Sequence, residues 1–317
     1  MLEFHDVEAA AERLQGLVEC TPVITSSALD AAAGMRLFLK AECLQITGSF
    51  KIRGATNAIA RLDEKQLEAG VVTYSSGNHG LAVTWAARAA GTSATVVVPR
   101  DAPLEKVAAI ETAGARLVRY DRYVEDRAEL ALELVVKEGL VLVPPFDDHD
   151  VMAGQGTVAL ELFREIADLD ALLVPVGGGG LLAGCATVAR RLRPGIEIMG
   201  VEPEAGDDHR QSRRAGRRVD IGVPRTIADG QQLSTPGELT WPITSRLTSQ
   251  FVTVTDGEIT DTMRTVLQRT NLMLEPSGAS ALAAAMHRPL ALDGKRVGVV
   301  LSGGNIGWPR FKDLAHH

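Results

Sequence analysis

The stretch VVTYSSGNHGLAVTWAARAAGTSATVVVP, residues 71–99, reads as strand, helix and strand in immediate succession. Val71–Ser75 is a short apolar run followed by Ser, Gly and Asn, His79–Ala90 has helical spacing and stops at Gly91, and Ala94–Pro99 is a second apolar run. Val96, Val97 and Val98 are consecutive, so that strand is apolar on both faces. Such a strand suits a parallel sheet covered on both sides, not a sheet with one face in water.

The same alternation continues outward. Helix Leu104–Ala113 ends at Gly114 and is followed by strand Arg116–Tyr120, helix Val124–Lys137 and strand Leu140–Pro144. A second series runs through helix Gly156–Ala167, strand Ala171–Val176, helix Leu181–Leu192 and strand Ile196–Val201. An irregular stretch from Glu202 to Pro242 then precedes helices Thr260–Thr270 and Ser277–His287 and strand Arg296–Leu301. Strands alternating with helices imply an α/β fold with right-handed crossovers and an open parallel sheet. Ligands bind such sheets beyond the carboxyl ends of the strands. The segments to inspect are therefore Ser75–Gly80, Gly177–Gly180, Glu202–Asp208 and Ser302–Asn305.

The bulk properties narrow the function further. A chain of 317 residues suits two domains. Its formal net charge of -7 argues against a general nucleic-acid binder, and the basic run Arg210, Arg213, Arg214, Arg217 and Arg218 reads as a solvated face. Cys20, Cys43 and Cys185 form no CxxC pair, which suggests neither a disulfide framework nor a zinc site but reduced, mostly buried thiols in a cytoplasmic protein. The first fourteen residues lack the basic start and apolar run of a signal peptide, and no apolar stretch is long enough to span a bilayer. His316 and His317 are left out of the reading.

Gly177-Gly178-Gly179-Gly180 follows a strand and precedes a helix. Glycines there let backbone N–H groups converge on a phosphate, and a helix N-terminus adds favourable partial charge. The run does not match GxGxxG in a first βα unit, so a dinucleotide is the weaker ligand. Lys51 lies in SFKIRG among apolar neighbours, and Asn78 stands where a strand gives way to a helix, beside a second anion-binding helix start.

Together these segments resemble the fold-type-II pyridoxal-phosphate enzymes, within them the serine/threonine dehydratase and serine racemase group. The resemblance rests on KAECLQITGSFKIRGA, SSGNHG, PPFDDHDVMAGQGT, PVGGGGLLAG, TIADG, EPSGA and LSGGN, which stand in the family's order across nearly the whole chain. It implies a two-domain open parallel-sheet fold like that of the tryptophan synthase β-subunit. The large cofactor-binding domain would comprise residues 1–69 and 148–317, and a small substrate-clamping domain residues 70–147.

What the resemblance implies about roles can be set out residue by residue. Lys51 would bond covalently to pyridoxal 5'-phosphate as its Schiff-base lysine and serve as base at the substrate α-carbon, which needs a depressed pKa. Phe50 would pack on the cofactor ring, Asn78 would hydrogen-bond its phenolic oxygen, and Gly177, Gly178, Gly179 and Gly180 would hold the phosphate. Ser302 would face the ring nitrogen; a neutral hydroxyl there, in place of a carboxylate, favours rapid loss of a β-leaving group over a long-lived carbanion. Ser75, Ser76, Gly77, Asn78 and His79 would clamp the substrate α-carboxylate, with His79 reading as a structural hydrogen-bonding residue and not as a catalytic acid. Ser76 would also be the acid on the opposite substrate face, permitting racemisation. Glu202, the carbonyl of Gly206 and Asp208 would form an oxygen-only site for Mg²⁺ or Ca²⁺.

The expected activity is β-elimination of L-threonine or L-serine to a 2-oxo acid and ammonia, in a homodimer. Serine racemase and threo-3-hydroxyaspartate dehydratase are the alternatives. A hydroxyaspartate enzyme would need an extra cation near the site, for which Arg53 looks structural and Arg122 is unplaced. Cysteine synthase-like β-replacement fits less well, because that branch has a TSGNTG-type loop where this chain has SSGNHG. Leu81, where animal racemases carry a polar nucleotide contact, argues against ATP activation, and LSGGN lies so near the end that no regulatory domain is expected.

Overall fold

The apolar runs pair into two separate sheets in the computed structural model, which describes residues 1–75, 77–102, 104–121 and 123–315. The strands are β1 (Val23–Ile24), β2 (Arg36–Ala41), β3 (Val71–Tyr74), β4 (Ala94–Pro99), β5 (Arg116–Tyr120), β6 (Val141–Leu142), β7 (Ala171–Pro175), β8 (Glu197–Pro203), β9 (Gln250–Val254) and β10 (Arg296–Leu301). Six of them pair in the order β1-β2-β10-β7-β8-β9, and four in the order β5-β4-β3-β6. The four-stranded sheet is parallel throughout, with Val71 opposite Ala94 and Val96 opposite Leu117. The larger sheet departs from the all-parallel expectation only at its edge, where the two-residue β1 runs antiparallel to β2. Helix Ser27–Ala33 joins the two strands.

Helices cover both faces, and the strand interiors are correspondingly buried: all six residues of β4 and five of the six in β10 are shut from solvent. Two corrections concern local structure. The stretch from Glu202 to Pro242 is not wholly irregular, since Asp208–Ala215 forms a helix ended by Gly216 at φ +67°. Its sequence DHRQSRRA is too polar to show an apolar period, and its start is fixed by the Glu202 carboxylate, which accepts from the backbone N–H groups of His209 and Arg210. The thiols are also less buried than expected, for only Cys185 is sequestered while Cys20 is exposed.

Three helices meet almost backbone to backbone. Helix His149–Glu165 lies between helix Lys51–Ile59 and helix Gly180–Leu192. A Cβ on Gly154 would sit 2.6 Å from the Arg53 carbonyl oxygen, and one on Gly184 would sit 2.5 Å from both the Gly156 nitrogen and the Met152 carbonyl oxygen. No side chain can yield at these contacts. Gly184→Ala should therefore lower stability by about 1–3 kcal/mol through overpacking, measurable as a reduced denaturant midpoint; an unchanged midpoint would refute the tight contact.

Candidate active site

A cavity of about 680 Å³ opens between the two sheets, and the strand ends singled out in the sequence converge on it. Phe50, Lys51, Ser75, Gly77, Asn78, His79, Gly177, Gly178, Gly179, Gly180 and Ser302 all line it. Ser76 lies outside the described residues, as does Arg122, so the reading of Ser76 as a second-face acid is left to the sequence.

Lys51 begins its helix directly after Phe50, whose ring lies 5.2 Å from the ammonium nitrogen. The Nζ donates to the Pro145 carbonyl at 2.5 Å, and burial pulls its pKa down to about 8. His79 is buried nearby with Nε2 on the Val143 carbonyl at 3.0 Å. Burial, reinforced by Lys51, pushes its pKa down to about 3. A neutral, carbonyl-bound imidazole agrees with the structural reading of this residue.

The glycine run is a rigid cradle. Gly179 has φ +96°, and a Cβ on Gly178 would stand 2.3 Å from the Phe146 ring. Any other residue would fill the space or strain the turn. No backbone N–H of Gly178 or Gly179 finds an acceptor among the described residues, and helix Gly180–Leu192 starts at once behind them. Unpaired N–H donors at a helix N-terminus fit a phosphate. The donor set therefore suits the phosphorylated cofactor that the sequence resemblance implies.

Asn78 is held at both ends of its amide. Its Nδ2 donates to Glu275 at 2.5 Å, and its Oδ1 accepts from Asn305 at 2.8 Å. Glu275 is 3% exposed, and burial with the nearby Asp229 raises its pKa to about 7. Ser302 is buried with its hydroxyl 3.4 Å from the Ser277 carbonyl.

Sequence reasoning missed several lining residues. Glu275 and Asp229 sat inside the quoted segments EPSGA and TIADG and were passed over. Lys106, Arg127 and Arg310 carried no motif at all, and only the fold brings them to the cavity. Lys106 and Arg310 both pair with Asp229. Arg127 opens helix Arg127–Glu138 and lies 5.6 Å from the Tyr74 ring, with no carboxylate partner among the described residues. Arg53 is wholly buried and tied to Glu42 and Glu161, which makes it structural.

The acidic segment after β8 is a second polar centre. Glu202 is fully buried and Asp208 is 1% exposed. Neither oxygen of Asp208 has a hydrogen-bond partner. Burial and the Asp208 charge hold Glu202 well above the usual carboxylate range, and burial raises Asp208 to about 7. Two buried carboxylates, one of them unpartnered, fit a hard cation, with Gly206 buried in the turn between them. Among the described residues no three His, Cys, Asp or Glu side chains gather to hold a metal, so such a site would depend on main-chain and solvent oxygens.

Comparison with known proteins agrees with this arrangement. A family model described as pyridoxal-phosphate dependent enzyme matches residues 14–303. The L-threo-3-hydroxyaspartate ammonia-lyase of a Pseudomonas species is 46% identical over 311 residues, covering 98% of this chain and 98% of that protein. The serine racemase of Schizosaccharomyces pombe is 44% identical, covering 97% and 95%. The structure of maize serine racemase superposes with a TM-score of 0.94 at 37% identity, covering 100% of this chain and 99% of that one. Among the described residues no helix is long and apolar enough to cross a membrane.

Proposed function

This chain belongs to the pyridoxal-phosphate dependent enzymes, and from that premise we propose that it releases ammonia from a β-hydroxy amino acid carrying a second carboxylate, with L-threo-3-hydroxyaspartate as the substrate. The observation that carries the reading is Arg127. A cation at a helix N-terminus opposes the helix dipole and costs about 0.3–1 kcal/mol. This one also lines the cavity and lacks a carboxylate partner among the described residues, a placement that makes sense when a substrate supplies the anion. The methyl of threonine or the hydrogen of serine would leave the guanidinium unpaired. The likeness to a hydroxyaspartate ammonia-lyase supports the same choice over the threonine or serine expected from sequence.

When bound, the cofactor would supply an aldehyde group and an electron-withdrawing ring. Lys51 is the residue to hold that aldehyde between turnovers, and its depressed pKa makes Nζ available to take the α-proton. Phe50 flanks the lysine and provides an apolar surface for the ring. Gly177 to Gly180 would hold the phosphate, Asn78 the phenolic oxygen, and Ser302 would offer a neutral hydroxyl to the ring nitrogen. Ser75, Gly77 and the start of helix Asn78–Ala89 receive the α-carboxylate, while Arg127 receives the distal one. In the net reaction water is lost and regained, so 3-hydroxyaspartate gives oxaloacetate and ammonia.

The four-stranded sheet and its helices, residues 70–147, act in this reading as the small domain that closes over substrate against residues 1–69 and 148–317. Glu202, Gly206 and Asp208 are proposed to hold Mg²⁺ or Ca²⁺. Chelation of the purified enzyme should then lower its thermal midpoint, with recovery on adding either ion, and indifference to chelator would remove the cation from the account. A homodimer in the cytoplasm completes the proposal, the free thiols suiting a reducing compartment.

The deciding measurement is a panel of serine, threonine and 3-hydroxyaspartate, in both enantiomers, with 2-oxo acid release and the chirality of remaining substrate followed together. Highest kcat/KM on L-threo-3-hydroxyaspartate is expected. A preference for threonine would overturn the substrate, and racemisation outpacing ammonia release would overturn the reaction class.

A further inference from the structure

The cradle glycines do not orient themselves. The carbonyl of Gly177 accepts from His209 Nε2 at 3.1 Å, and the carbonyl of Gly178 accepts from Thr240 Oγ1 at 2.6 Å. Neither His209 nor Thr240 lines the cavity, so both carbonyls point away from it. Among the described residues no peptide bond is cis. In a trans peptide the N–H points opposite to the preceding C=O. Turning the carbonyls of Gly177 and Gly178 outward therefore turns the N–H groups of Gly178 and Gly179 inward.

We infer that His209 and Thr240 are positioning residues that aim the cradle's backbone donors at the cofactor phosphate. The inference rests on the proposal that the cradle binds that phosphate. Both residues are fully buried, and both are fixed in turn. The His209 ring packs 5.3 Å from the Phe251 ring and 6.0 Å from Trp241, with Nδ1 3.5 Å from the Thr244 hydroxyl. A carbonyl can only accept, so Nε2 carries the hydrogen and Nδ1 is left to accept from Thr244. The underside of the turn rests on the same pair: a Cβ on Gly179 would stand 2.8 Å from Thr240 Oγ1 and 3.1 Å from His209 Cε1. These two side chains thus set both the direction and the height of the donors while touching no ligand.

The test uses the full-length chain stripped of cofactor and compares dissociation constants for pyridoxal phosphate and pyridoxal by visible absorbance. The parent should prefer the phosphorylated form by at least about a hundredfold, as expected of several charge-assisted hydrogen bonds. His209→Ala should narrow that preference about tenfold, the effect of one lost buried hydrogen bond. His209→Gln, which keeps a donor at the far end of the side chain, should recover most of it. Thr240→Val, nearly isosteric and so able to fold where His209→Ala does not, should narrow it to a similar degree. Variants that keep the full preference, or that weaken both ligands equally, would overturn the positioning role. A parent that binds both ligands equally would instead overturn the phosphate cradle itself, and the inference with it.

Discussion

Lys51→Ala is expected to lower ammonia release by about ten-thousandfold, because one side chain is asked both to hold the cofactor and to take the α-proton. Two physical conditions make Lys51 suited to this. Its ammonium is desolvated at the cavity wall, which brings the pKa to about 8, so an appreciable fraction is free amine near neutral pH. Its hydrogen bond to the Pro145 carbonyl holds Nζ in place without supplying a counter-charge that would fix the proton. The phosphate cradle does not depend on the lysine, so the variant should still take up cofactor. The absorption band of the lysine-bound cofactor should nonetheless be absent, and borohydride should leave the peptide containing residue 51 unlabelled. Turnover within tenfold of the parent, or a reduced label on another lysine, would refute the assignment. Lys106 is the informative control, since it lines the same cavity but is neutralised by Asp229.

Arg127→Leu should divide substrates instead of abolishing turnover. Against L-threo-3-hydroxyaspartate we expect about a hundredfold loss in kcat/KM, since the distal carboxylate would be left in a desolvated site without its charged donor. That loss corresponds to about 2.7 kcal/mol. Against L-serine, which offers nothing to the guanidinium, the change should stay within about threefold. The leucine also removes a cation from a helix start, so stability should hold or rise slightly. An equal loss on both substrates would show Arg127 serving the shared chemistry or the fold, and would return the distal carboxylate to an unassigned partner.

The parts of this molecule that could be read from sequence are those where the local pattern is itself the physical cause. The runs at Ala94–Pro99 and Arg296–Leu301 were legible because a twice-covered strand is apolar almost throughout. The glycine cradle was legible because only glycine tolerates the Gly178 and Gly179 positions. β2 escaped notice because RLFLKA carries Lys40 in its interior, a charge that is tolerable only through its ion pair with Glu161. β9, QFVTV, is interrupted by Thr253 and only partly buried, so its apolar signal is weak. Helix Asp208–Ala215 is held at its start by the Glu202 carboxylate from the end of β8, and no periodicity reports that. Of the site, Lys51, Asn78 and Ser302 stood in recognisable segments. Arg127 and His209 did not, since each acquires its meaning only when the fold sets it beside residues far away in sequence.

The glycine contacts on either side of helix His149–Glu165 have a consequence for how such an enzyme can diversify. Lys51 opens one of the outer helices and Gly180 the other, so the span from the Lys51 main chain to the glycine cradle is gauged by stacked backbones, which no change of side-chain rotamer can stretch. Binding new substrates cannot proceed by adjusting that span. It must come from the opposite wall, from Ser75, Gly77 and Asn78 and from Arg127 at its helix start, where single replacements alter what is gripped and leave the calliper untouched.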